Sequence, residues 1–169
     1  MSERIFNVLF ICTGNSARSV IAEAIMNELG KGRFQAFSAG SHPRGEVHPL
    51  TLELLDSQGY ETNGLRSKSW NEFAGDDAPQ MDFVFTVCDQ AAGEMCPVWP
   101  GQPITAHWGF TDPAAAEGDK EQRMKVFRHV QSQIATRIRL FLSLPLEKID
   151  RMSLQTQLRE LGSPTSKQV

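Results

Sequence analysis

Apolar positions along the chain follow two different periods. Residues 5–11 (IFNVLFI) form a nearly continuous β-rich apolar run, the pattern of a strand covered on both faces. Residues 33–40 (RFQAFSAG) alternate and predict a second strand, 81–88 (MDFVFTVC) a third buried one, and 103–109 (PITAHWG) a shorter, weaker one. Between these runs the period becomes helical. Val20, Ile21, Ala24, Ile25 and Leu29 share one face of a helix over 19–32, with Gly30 and Gly32 as its stop. Residues 48–59 predict a second helix, with Pro49 tolerated in its first turn and Gly59 at its end. Residues 119–144 predict a long amphipathic helix with Val126, Val130, Ile134, Ile138 and Phe141 on its apolar face. Its basic residues, Arg123, Lys125, Arg128, Arg137 and Arg139, read most simply as the solvated face.

Strand and helix alternate throughout, which predicts an α/β fold: an open, four-stranded parallel sheet flanked by helices in three α/β/α layers. The expected domain spans 1–145. Residues 146–169 form an extension, with Ile149, Met152, Leu154, Leu158 and Leu161 spaced for one more amphipathic helix before a disordered tail. In open parallel sheets ligands sit beyond the carboxyl ends of the strands. Cys12 and Cys88 both fall at such ends, so the two thiols are expected on one rim.

Composition narrows the function classes. The chain has 169 residues, 40% of them hydrophobic and 22% charged, and a net charge of −3; this is an ordinary globular domain with no basic footprint for nucleic acid. No apolar run approaches the length of a membrane span. The amino-terminal apolar run lacks a small-residue cleavage site and reads as a first strand, which predicts a cytoplasmic protein. Three cysteines, Cys12, Cys88 and Cys96, fit a structural disulfide framework poorly. On composition alone they read equally as three buried thiols acting as small hydrophobes.

The stretch CTGNSARS, 12–19, changes that reading. It lies between a predicted strand and a predicted helix. Successive backbone N–H groups in such a turn point into one hollow, and with the helix N-terminus they bind a tetrahedral oxyanion. Gly14 is expected to supply the unusual dihedrals, and Arg18 a planar fork for two anion oxygens. Thr13, Gly14, Asn15, Ser16, Ala17, Arg18 and Ser19 are the candidate oxyanion ligands, with Ser16 and Ser19 as hydroxyl donors. In that positive field the Cys12 thiol is expected to have a lowered pKa and to act as a nucleophile. A merely structural turn is the alternative.

VLFICTGNSARS resembles the phosphate-binding loop of the low-molecular-weight protein tyrosine phosphatase family, and is more similar still to the arsenate reductases built on that fold. The likeness runs over about residues 5–142, through SAG (38–40), TVC (86–88) and HWGFTDPA (107–114). It implies Cys12 as the attacking thiol, Arg18 as the anion holder and Asp112 as the general acid. The phosphatases follow their Asp-Pro with an aromatic wall for a phenol ring. Here Ala114, Ala115 and Ala116 follow, which speaks against phosphotyrosine.

The reductases relay electrons through three thiols, so the resemblance implies reduction of arsenate to arsenite by Cys12, Cys88 and Cys96 in turn. The reductant would be external, thioredoxin or else glutaredoxin with glutathione, with no bound cofactor. Phosphate and sulfate are expected as competing anions. Two departures bear on the site. Ala17 stands where the phosphatases often carry a second loop cysteine. Asn15, Glu23 and Ser38 match potassium ligands of some reductases, but Lys68 replaces the matching acid; its ammonium is expected to pair with Glu23, so no metal requirement is expected. The competing functions are a low-molecular-weight phosphatase acting on phosphate monoesters and a non-catalytic redox or oxyanion sensor signalling through a Cys88–Cys96 disulfide. His42, His48, His107 and His129 show no metal-ligand spacing. His107 reads as a packing residue, and Trp70, Trp99 and Trp108 as core or loop anchors.

Overall fold

A computed structural model describes residues 5–75, 77–88, 99, 102–146 and 151–162. Four strands, β1 (Phe6–Cys12), β2 (Phe34–Gly40), β3 (Phe83–Thr86) and β4 (Ile104–His107), form one sheet in the order β2-β1-β3-β4. Every pairing is parallel. All carboxyl ends therefore emerge on one rim, and the central β1 is buried from Val8 onward, as its unbroken apolar run requires. Cys12 pairs with Gly40 at the end of the register.

Helix α1 (Arg18–Leu29) starts directly after the loop and is closed by the Gly30 N–H bonding to the Met26 carbonyl. Helix α2 (Pro49–Ser57) carries its proline in the first turn. Helix α3 (Lys120–Leu142) opens with a reciprocal Asp119–Gln122 capping box. Its core face is Met124, Phe127, Val130, Ile134, Ile138 and Phe141, with Val126 only partly buried. No helix among the described residues is long and apolar enough to cross a membrane.

Arg137 departs from expectation. It is buried on the core side of α3, and its guanidinium lies 5.3 Å from the centroid of the Phe110 ring. The aromatic face takes the place of water around the cation. Burial holds the Arg137 pKa below its ordinary value.

The extension contains helix α4 (Arg151–Leu161), which covers the open edge at β4. Leu154 and Leu158 are buried, and the Trp108 indole N–H donates to the Leu158 carbonyl at 3.0 Å. Trp108 stacks on Phe85 with centroids 3.9 Å apart, so the helix seals an aromatic layer that continues to Phe141. Gly162 lies so close to the strand that a Cβ there would collide with the His107 carbonyl. Leu158→Ala should therefore cost about 2–5 kcal/mol. Urea unfolding followed by tryptophan fluorescence measures this; an unchanged midpoint would mean the helix is not part of the folded core.

Candidate active site

The site grows from the carboxyl end of β1. Residues 12–17 turn from strand to helix, and Arg18 is the first residue of α1. Ala17 at the N-cap offers no side-chain hydrogen bond to the first turn, so those N–H groups remain available to a bound anion. Cys12, Thr13, Gly14, Asn15, Ser16, Ala17 and Arg18 line a hollow of about 180 Å³, together with His42, Arg44, Asp112 and Ala114.

Asn15 carries the loop's unusual dihedral, with φ of 46°, and Gly14 does not, contrary to the sequence expectation. The left-handed region is open to asparagine, and its amide is fully used here. Nδ2 donates to Ser19 Oγ at 2.8 Å and to Ser38 Oγ at 3.0 Å, and Oδ1 accepts from the Lys68 N–H at 2.9 Å. Ser19 thus stands behind the loop, fixing Asn15, and does not line the hollow. Gly40 permits this closeness: a Cβ there would fall 2.5 Å from the Thr13 carbonyl oxygen. On the other side, Ser16 O accepts from the His48 N–H at 3.0 Å and from Thr51 Oγ1 at 3.0 Å. His48 accepts the Leu50 N–H at Nδ1, and burial followed by the Arg123 and Arg44 charges holds its pKa down. It is a neutral anchor.

Arg18 has its Nη1 on the Phe110 carbonyl at 3.1 Å and its Nη2 3.6 Å from Asp112 Oδ2. Its buried Nε has no hydrogen-bond partner among the described residues. Asp112 accepts the Ala114 N–H at Oδ1 and caps a short 3₁₀ turn, which holds its carboxyl over the hollow. Phe110 links several parts: its N–H donates to the Val87 carbonyl, and its ring carries Arg137.

Cys12 and Cys88 are both buried and neither is in a disulfide. They share a side-chain hydrogen bond, and the Thr13 N–H donates to Cys88 Sγ at 3.2 Å. The rim placement expected for the two thiols is found. Cys96 lies outside the described residues.

The expected lowering of the Cys12 pKa is not found. The hydrogen bond with Cys88 and then burial push the thiol up, against the downward pull of Arg18 and the Thr13 N–H. Two thiols in contact titrate as a pair, and the second proton must leave against the charge created by the first.

Behind the loop, Ser38 Oγ donates to Glu23 Oε1 at 2.5 Å. Lys68 Nζ lies 4.0 Å from the same oxygen and donates to the Arg66 carbonyl at 2.9 Å. Burial raises the Glu23 pKa and lowers that of Lys68. The sequence did not single out Arg44, Phe110 or the anchoring role of His48. Arg44 follows β2 by four residues, so the parallel pairing of β2 with β1 was the signal that placed it on this rim.

Two measurements test this geometry. Asn15→Ala should lower stability by about 3 kcal/mol, the sum of three buried hydrogen bonds and a strained backbone. Asn15→Gly should recover only the backbone share in thermal unfolding. Cys88→Ala removes the first cause of the raised Cys12 pKa, so iodoacetamide should label Cys12 faster at neutral pH, as read by mass spectrometry. An unchanged rate would show that the thiol pair does not control Cys12.

Comparisons with known proteins identify the family. The family model for low molecular weight phosphotyrosine protein phosphatase matches residues 7–156. An arsenate reductase of Shouchella clausii is 36% identical over 141 residues, covering 83% of this chain and 96% of that protein. A solved arsenate reductase in the phosphate binding state superposes with a TM-score of 0.66 at 29% identity, covering 82% of this chain and 97% of that one. A thioredoxin-dependent arsenate reductase of Corynebacterium glutamicum gives a TM-score of 0.61 at 28% identity, over 88% of this chain and 66% of that longer one. With its sheet order, its loop from Cys12 to Arg18 and these relatives, the chain belongs to the low molecular weight phosphotyrosine protein phosphatase family.

Proposed function

We infer that the protein reduces arsenate to arsenite through a relay of its three cysteines, with a thioredoxin-type dithiol as final reductant. The observation that carries this reading is the second thiol. Cys88 is held against the nucleophile Cys12 by a shared hydrogen bond and by the Thr13 N–H, and ester hydrolysis includes no step that requires it. The relatives named arsenate reductase support the same reading. So does Ala114 at the wall of the hollow, where a phenol ring would want an aromatic neighbour.

Arsenate enters the hollow and is held by the loop N–H groups and Arg18. The Cys12 sulfur attacks arsenic, and Asp112 protonates the departing hydroxide as water. Cys88 then attacks the Cys12 sulfur. Arsenite leaves with the sulfur–arsenic bonding pair, and a Cys12–Cys88 disulfide remains. Cys96 attacks Cys88, releasing Cys12 as thiolate and moving the disulfide to Cys88–Cys96, where an external dithiol reduces it.

The potassium ion held by some reductases of this family does not fit here. The Lys68 ammonium, nearly buried, already faces Glu23 at 4.0 Å, so a second cation would meet a like charge in a dry setting. Lys68 takes that place, tying Glu23 and Ser38 to Asn15.

The decisive assay is arsenate-dependent NADPH oxidation with thioredoxin and thioredoxin reductase. Activity should vanish in Cys12→Ser; Cys88→Ser should stall at the Cys12 arsenic adduct without releasing arsenite, and Cys96→Ser should release one equivalent and stop as the Cys12–Cys88 disulfide. Brisk p-nitrophenyl phosphate hydrolysis that survives Cys88→Ser, with no arsenate-dependent oxidation under either thioredoxin or glutaredoxin coupling, would identify a phosphatase instead.

A further inference from the structure

We propose that Arg44 is the second cation of the oxyanion site, capturing tetrahedral dianions at the mouth of the hollow before Arg18 and the loop N–H groups take them. This rests on the oxyanion-binding reading of the loop and adds a residue that contacts the substrate.

The backbone around Arg44 is clamped to the loop. Its N–H donates to the Gly14 carbonyl at 3.0 Å, and that carbonyl also accepts Ser67 Oγ at 3.1 Å. Ser67 Oγ in turn accepts the Gly45 N–H at 3.1 Å, and Gly45, with φ of 89°, makes the sharp turn that brings these groups together. The side chain then runs across the face of Gly14. A Cβ at Gly14 would fall 3.1 Å from Arg44 Nε, 3.3 Å from Cγ and 3.4 Å from Cδ. Because Gly14 is not in the left-handed region, its missing side chain serves space: it lets the arginine lie flat on the rim. Arg44 lines the same hollow as Cys12, Arg18 and Asp112 and forms no ion pair among the described residues.

Charge balance gives this arginine its use. Arsenate and phosphate are mixtures of mono- and dianion at neutral pH and mainly dianions above it. Arg18 supplies one positive charge and shares it with Asp112 at 3.6 Å. Once Asp112 holds the proton it is to deliver, Arg18 and Arg44 together match a dianion. An exposed guanidinium at the mouth also draws anions in from solution, an effect that salt screens. Because Arg44 meets the ligand at the rim and not at the reacting sulfur, it contributes to binding far more than to the chemical step.

The test is calorimetric titration of inorganic phosphate into the full-length protein and its Arg44→Gln and Arg44→Glu variants. Arg44→Gln should bind phosphate about tenfold more weakly, the loss expected for one charge-assisted contact. Arg44→Glu should be weaker again, and added salt should weaken the unsubstituted protein more than Arg44→Gln. In the arsenate assay KM should rise by a similar factor, with kcat within about twofold. Dissociation constants within twofold of the parent in both variants would overturn the role of Arg44 and leave the oxyanion site standing. A parent protein that binds neither phosphate nor arsenate would overturn the oxyanion site, and Arg44's role with it.

Discussion

The Asn15 side chain is the constraint on which this site depends. It holds its own backbone in the left-handed region and ties the loop to α1 through Ser19, to β2 through Ser38 and to the 66–68 segment through the Lys68 N–H. Three separate pieces of chain are thereby referenced to one residue. Fully bonded, it fixes the backbone of the loop around the hollow. A buried amide so placed is costly if any partner is lost, and for that reason it specifies a single loop geometry.

A second chain of contacts fixes Arg18 and Asp112 from the opposite side. Phe110 offers its carbonyl to Arg18 and its N–H to Val87, and its ring faces the buried Arg137. Asp112 follows two residues later. Arg18, Asp112 and the strand leading to Cys88 are therefore tied together by one short segment. Arg137 is a charge without a counter-ion among the described residues, buried where a leucine would be cheaper. Its guanidinium packs on the ring of Phe110, the residue whose carbonyl accepts from Arg18.

The thiol pair shows how tertiary contact revises a local argument. A cysteine at a helix N-terminus beside an arginine should ionise readily, and both influences are present at Cys12. A second thiol in hydrogen-bond contact and near-complete burial outweigh them. The same contact that makes Cys12 reluctant to lose its proton puts Cys88 within reach of the sulfur it is proposed to attack. Readiness for the proposed second step is set against ease of the first.

The order of strands and helices, the rim shared by Cys12 and Cys88, and the loop from Cys12 to Arg18 were all legible in the sequence, because periodicity and the strand–loop–helix grammar are local. The proposed role of Asp112 and the pairing of Lys68 with Glu23 came from resemblance to a family. Periodicity could not place Arg137, since one arginine among several on a long helix looks solvated until an aromatic ring is found above it. Nor could it assign the left-handed dihedral to Asn15 in preference to Gly14, or bring Arg44 to the mouth of the hollow. Those outcomes depend on close approaches between segments separated by tens of residues: Gly40 against Thr13, Ser67 against Gly14, Phe110 against Arg18. Short-range pattern sets what each segment becomes; only packing decides which polar groups meet, because each must find its partner once water is excluded.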